Sequence, residues 1–104
     1  MKINKVSEKY TFSKDISSYI LDFGDTKRAE DKTIIFEVTD VEEVGLVEFI
    51  KVCGCTTVTK TLIDKNTAMF KVTYTDCAKE FNKVVKINYN KKLITTIILR
   101  GRCQ

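Results

Sequence analysis

Alternation of apolar and polar residues with a period of two is the feature that most constrains this fold. In the stretch AMFKVTY, Ala68, Phe70, Val72 and Tyr74 share one face of an extended chain. The stretches TIIFEV, KVVKINYN and LITTIIL repeat the pattern with the β-branched and aromatic residues that suit a half-buried strand. The stretch VEEVGLVEFIKV could form a helix, but its glycine and β-branched flanks favour a strand. The chain is therefore predicted to be all β.

Turn-forming residues separate these strands at regular intervals. The breaks FGDTKRAED, TDVEEVG, DKNT, DCAKEFN and NYNKK place Gly, Asn, Asp and Lys at their tips. Short strands at this spacing predict an antiparallel β-sandwich of about seven to eight strands. We expect the strands near residues 5–12, 18–23, 33–39, 46–52, 57–63, 67–75, 83–89 and 93–100.

Length and composition limit the chain to one globular domain. Its 104 residues provide one core, and 43% hydrophobic with 31% charged residues is typical of neither a disordered chain nor a membrane span. The opening stretch MKINKVSEKYTFSKD contains no apolar segment of the kind that directs secretion. The sequence thus predicts a protein that stays in the cytoplasm where it is made, unless it leaves inside a larger particle.

Four cysteines, Cys53, Cys55, Cys77 and Cys103, are the only candidate metal ligands of the thiolate or imidazole type, since the chain has no histidine. A zinc site is possible, but Cys-x-Cys with two isolated cysteines departs from the usual chelating spacing. In a reducing compartment the cysteines are expected to be thiols rather than disulfides. We favour a structural role for Cys53 and Cys55 as small apolar residues at a strand end, with Gly54 letting the backbone turn. No metal or cofactor is predicted.

Catalysis is not expected, and no catalytic residue is assigned. The absence of histidine removes the commonest general base, and the glycines form no phosphate-binding loop. Nucleic acid could follow the basic segment 79–104, which contains Phe81 and Tyr89. However, Tyr89 shares a face with Val85 and Ile87 and is expected in the core, so nucleic acid is not a predicted partner.

Charge is unevenly distributed along the chain. Residues 22–48 contain nine acidic and three basic residues, and residues 79–104 contain seven basic residues and one acidic residue. These segments are either two solvated surfaces or complementary patches that bring copies of the chain, or an acidic partner protein, into register.

A family resemblance covers most of the chain, about residues 21–101. Asp22-Phe23-Gly24-Asp25-Thr26, KTIIFEVTD, VCGCTT, FKVTYTD, KVVKINYN and TTIILRG resemble, in order, the bacterial Ig-like domain of unknown function 1573. That family is similar to the PapD-like and HYDIN-type immunoglobulin sandwiches. The most specific element is Cys53-Gly54-Cys55-Thr56. Asp64-Lys65-Asn66 stands where family members usually have a Pro-Gly turn.

The resemblance implies an Ig-like β-sandwich over residues 21–104, preceded by an N-terminal arm or extra strand at residues 1–20. It implies no activity, because this fold hosts many functions. The expected function is that of a non-enzymatic auxiliary or decoration subunit of a tailed-phage virion, bound to the major capsid protein. The alternative is a bacterial protein-binding module of the cell envelope or a cytoplasmic scaffold.

Overall fold

The computed structural model describes residues 1–6, 10–27, 32–52, 56–75 and 79–103. Within these ranges the chain forms nine strands and one short 3₁₀ helix, Val44–Leu46. The strands are β1 (Lys2–Lys5), β2 (Thr11–Lys14), β3 (Ser18–Thr26), β4 (Thr33–Thr39), β5 (Val47–Lys51), β6 (Thr56–Leu62), β7 (Ala68–Tyr74), β8 (Glu80–Tyr89) and β9 (Lys92–Cys103). None of the described residues belongs to a helix long and apolar enough to cross a membrane.

The strands form two sheets that pack as a sandwich. One sheet has four strands in the order β1-β4-β7-β6, and the other has five in the order β2-β3-β9-β8-β5. With β2 and β3 set aside, these orders correspond to the ABED and GFC sheets of an immunoglobulin domain. The predicted all-β, Ig-like sandwich is therefore confirmed.

Two details of that prediction differ from the structure. One expected strand at residues 5–12 is replaced by β1 and β2, which belong to different sheets, so the described chain has nine strands rather than seven or eight. The sandwich is also not wholly antiparallel, because β3 pairs with β9 in the parallel sense. Alternation identifies a strand, but it does not identify the neighbour of that strand or the direction of pairing.

The segment 1–20 contributes to both sheets. β1 pairs with β4, which places Ile3 beside Val38 and buries it. β2 pairs with β3, and the Phe12 ring lies 5.1 Å from the Phe36 ring of the opposite sheet. These contacts make residues 2–5 and 11–14 part of the packed sandwich.

Aromatic rings join the two sheets through the core. Phe49 of β5 stacks on Phe70 of β7 with ring centroids 4.0 Å apart. Farther along the sandwich, Tyr74 of β7 packs 4.4 Å from Phe81 of β8. Burial of these rings and their aliphatic neighbours supplies the main stabilisation of the fold. The buried hydrophobic residues are Ile3, Leu21, Phe23, Ile34, Phe36, Val38, Val44, Val47, Phe49, Ala68, Phe70, Val72, Tyr74, Phe81, Val85, Ile87, Ile97 and Leu99.

Candidate protein-binding surface

The candidate binding surface is on the five-stranded sheet, on the side that faces away from the four-stranded sheet. Its outward-facing side chains form a regular arrangement of apolar and polar residues. We call this surface the outer face. Side chains alternate along a strand, so residues of the outer face alternate with inward-facing ones, as Ile98 lies between the buried Ile97 and Leu99. Its residues include Thr11, Ser13, Ser18, Ile20, Asp22, Glu48, Ile50, Asn82, Val84, Lys86, Thr96, Ile98 and Arg100.

Strand register arranges the outer face in three rows. The middle row is apolar and consists of Ile20, Ile98 and Val84 from three neighbouring strands. The row on one side contains Ser18, Thr96, Lys86 and Ile50, and the row on the other contains Asp22, Arg100 and Asn82. An apolar centre between polar borders is the general layout of a protein interface.

In each of the three rows, the partner residues on β3 and β9 have side chains that interact favourably with each other. The Ser18 and Thr96 hydroxyls lie 2.9 Å apart, and Ile20 is the partner of Ile98. Arg100 Nε donates to Asp22 Oδ2 at 3.2 Å. Matched pairs of this kind stabilise a register, and here they hold the outer face in one arrangement.

Part of the acidic segment 22–48 lies beside the basic segment 79–104 in this sheet. β3 and β5, from the acidic segment, flank β8 and β9, from the basic segment. Arg100 pairs with Asp22, so part of the predicted complementarity is satisfied within a single molecule. Other acidic residues of segment 22–48, Glu37 on β4 and Asp40, Glu42 and Glu43 after it, lie outside this sheet, so the pair of Arg100 and Asp22 joins only part of the two segments.

A shallow groove of about 560 Å³ borders the outer face beside Asp22, Arg100, Glu80 and Arg102. Arg102 Nη2 donates to Glu80 Oε1 at 2.9 Å, so each arginine of the groove already has a carboxylate partner. Both pairs are exposed, and such pairs contribute little to stability. The groove therefore extends the polar border of the outer face.

The cysteine prediction has a mixed outcome. Cys53, Cys55 and Cys77 lie outside the described residues. Cys103, at the end of β9, is disulfide-bonded, so the expectation that it is a thiol is wrong. Its backbone N–H donates to Lys79 O at 3.1 Å, which fixes the end of β9 against the start of β8.

A sulfur in a disulfide cannot serve as a thiolate ligand, so Cys103 is not available to zinc in this state. In the described part of the chain, no three Cys, Asp or Glu side chains come together in a way that could hold a metal ion. The possible zinc ligation by Cys53, Cys55 and Cys77 concerns residues that the structure does not describe.

The outer face was not predicted from the sequence, although the sequence carries a signal for it. Ser18-x-Ile20-x-Asp22 and Thr96-x-Ile98-x-Arg100 have the same order of hydroxyl, isoleucine and charge. Two segments with matching order along the chain suit a parallel pairing, in which like positions become neighbours.

Comparison of the chain with protein-family models, curated proteins and solved structures yields no match. The resemblance to the domain of unknown function 1573 stays a prediction.

Proposed function

We propose that this chain is a non-enzymatic structural protein that binds another protein through its outer face. The observation that supports this proposal is the apolar row of Ile20, Ile98 and Val84 with polar residues on both sides. Ile50, 41% exposed, extends the apolar area beside Lys86. Ile20, Ile98 and Val84 are partly exposed, and contiguous apolar area with a polar border is typical of a surface that a partner covers.

Charge favours an acidic partner. The chain carries a formal net charge of +4, and Lys86 is exposed within the outer face beside the apolar row. A partner that presents an apolar ridge with carboxylates near Lys86 would complement both the shape and the charge of this surface. Such complementarity raises the association rate and excludes basic proteins.

The more specific proposal is a decoration subunit of a tailed-phage virion, bound to the major capsid protein. It is supported by the resemblance to an Ig-like module. The second candidate is a protein-binding module of the bacterial cell envelope. The disulfide at Cys103 favours that alternative, because disulfides persist in oxidising compartments.

The test compares two single substitutions on opposite surfaces of the sandwich. Ile98→Lys places a charge in the apolar row, and Thr59→Lys places the same charge on the exposed surface of β6 in the other sheet. Each tagged chain is expressed in the bacterium whose chromosome or phage carries its gene, and virus particles and envelope are separated by density gradient. Mass spectrometry then measures how much of the chain occurs in each fraction, and thermal unfolding of the purified variants verifies that they fold.

If the proposal holds, the wild type and Thr59→Lys accumulate with virus particles in a fixed ratio to the capsid protein, and Ile98→Lys does not. Accumulation in the envelope fraction with the same dependence on Ile98 would replace the virion assignment but retain the outer face as the binding surface. Equal accumulation of both variants in the same particle would overturn the role of the outer face.

A further inference from the structure

The end of the sandwich that contains segments 15–17, 40–46, 63–67 and 90–91 is a second surface, which we call the loop end. Hydrogen bonds tie three of its segments, 40–46, 63–67 and 90–91, together. Val44 N donates to Lys65 O at 2.8 Å, and Asn90 N donates to Leu46 O at 3.1 Å. The Asn66 side-chain amide donates to the carbonyls of Val41 at 2.8 Å and Glu42 at 3.1 Å. These bonds hold the loop end as a defined shape, which lowers the entropic cost of docking.

An exposed apolar side chain lies at one side of the loop end. Ile16, at the tip of the turn between β2 and β3, is 98% exposed. The turn is closed by the Asp15 N–H, which donates to Ser18 O at 2.8 Å. Ile94 lies beside it and is also exposed. A large aliphatic residue at the tip of a closed turn is suited to insertion into a partner.

The other side of the loop end carries an apolar groove. The groove has a volume of about 290 Å³, and its walls include Val44, Leu62 and Ile63. Leu62 and Ile63 are 58% and 59% exposed, so contact with an apolar side chain would remove considerable surface from water. One end of the molecule therefore presents both a protruding isoleucine and a groove that could receive one.

Charges around the two features are opposite. Lys14 lies next to Ile16, whereas Glu43 and Asp64 border the groove. Asp15 also lies beside Ile16, and its negative charge is opposite to the positive charge of Lys65 at the groove. Each feature thus matches the other in both shape and charge, which is the requirement for a two-fold contact between identical surfaces.

We propose that a second copy of this chain binds at the loop end, with Ile16 of each copy in the groove of the other. Lys14 then lies opposite Glu43 across each of the two equivalent contacts. The sandwich measures 42 × 24 × 23 Å, so a contact across its whole narrow cross-section would cover at most about 550 Å² per copy or about 1,100 Å² per pair. That area is near the lower limit for a specific interface, so the dimer is weak and leaves the outer face free.

Sedimentation velocity of the purified chain, from about 10 µM to about 1 mM, tests the dimer in the concentration range expected for a small interface. The mass should rise with concentration from 11.9 kDa towards twice that value. Ile16→Asp should weaken association at least tenfold, because it places a charge in an apolar groove. Val52→Asp, at an exposed apolar residue (63%) outside the loop end, should leave association unchanged.

A charge exchange then tests the orientation. Lys14→Glu and Glu43→Lys should each weaken association, and the double variant should associate more strongly than either single variant. A chain that stays at 11.9 kDa at every concentration overturns the proposal. So does an Ile16→Asp variant that associates like the wild type, or a double variant no stronger than the single ones. Because Ile98 is outside the loop end, loss of particle binding by Ile98→Lys would not affect this result.

Discussion

Lys60 of β6 donates a hydrogen bond from Nζ to the Val47 carbonyl of β5 at 2.8 Å. The two strands are edge strands of different sheets, so this ammonium joins the two sheets at one open side of the sandwich. The same Nζ lies 2.9 Å from the Gly45 carbonyl and 5.8 Å from the centre of the Phe70 ring. A lysine in this position stabilises the edge and also makes it unattractive to another strand.

Replacing Lys60 by methionine keeps most of the side-chain volume but removes the donor. We expect a loss of about 1.5–3 kcal/mol in the free energy of unfolding, the range for hydrogen bonds to charged groups. Urea unfolding followed by fluorescence or circular dichroism measures the loss. Lys71→Met, at an exposed position of β7, is the matched control and should change stability by less than about 0.5 kcal/mol. Equal effects of the two substitutions would show that the Lys60 contacts contribute nothing specific.

Among the glycines that the structure describes, Gly101 is the one where an added methyl group is least tolerated. A Cβ atom there would lie 2.8 Å from Phe81 Cζ and 3.0 Å from the Gly24 carbonyl oxygen. Phe81 cannot move aside easily, because its ring packs against Phe23 and Tyr74. Gly101→Ala should therefore lower the free energy of unfolding by about 1–3 kcal/mol, the usual cost of overpacking.

Alanine substitutions at two other glycines distinguish the cost of steric crowding from the cost of backbone strain. Gly24 has a φ of +65° with no atom within 4 Å of an added Cβ, so Gly24→Ala tests strain alone and should lose about 1 kcal/mol. Gly45→Ala meets no atom within 4 Å and should change stability by less than about 1 kcal/mol. Thermal unfolding of the three variants should give this order, and a Gly101→Ala variant as stable as Gly45→Ala would contradict the packing around Phe81.

The N-terminal strand should behave as part of the core. Ile3 is buried beside Val38 of β4, so Ile3→Ala should lower the free energy of unfolding by about 2–4 kcal/mol. Val6→Ala makes a similar truncation at a half-exposed side chain and should cost less than about 1 kcal/mol. Chemical denaturation of both variants measures the difference. A tolerant Ile3 would indicate that residues 1–6 are a detachable arm.

The sequence predicts individual strands well because alternation is a local property. In AMFKVTY the predicted face of Ala68, Phe70, Val72 and Tyr74 is the buried face of β7. Pairing is not local. Asp22 lies beside Arg100 because the chain crosses from one sheet to the other after β1. Residue spacing within a single segment cannot predict that crossing. For the same reason, the sequence did not predict that Asp22 of the acidic segment lies beside Arg100 of the basic segment.

The disulfide at Cys103 should make stability depend on the redox state. Intact mass measured before and after reduction should show a gain of two hydrogens, and the oxidised form should be more stable by about 2–4 kcal/mol. Cys103→Ser is the control. This variant lacks the disulfide at Cys103, so the mass gain and the loss of stability that come from reducing that bond should be absent. If the oxidised and reduced wild type unfold at the same denaturant concentration, the bond has no structural role, and the support it gives to an oxidising compartment is lost. A loss of stability on reduction would instead show that the end of β9 depends on this bond, as expected of a chain that works outside a reducing cytoplasm.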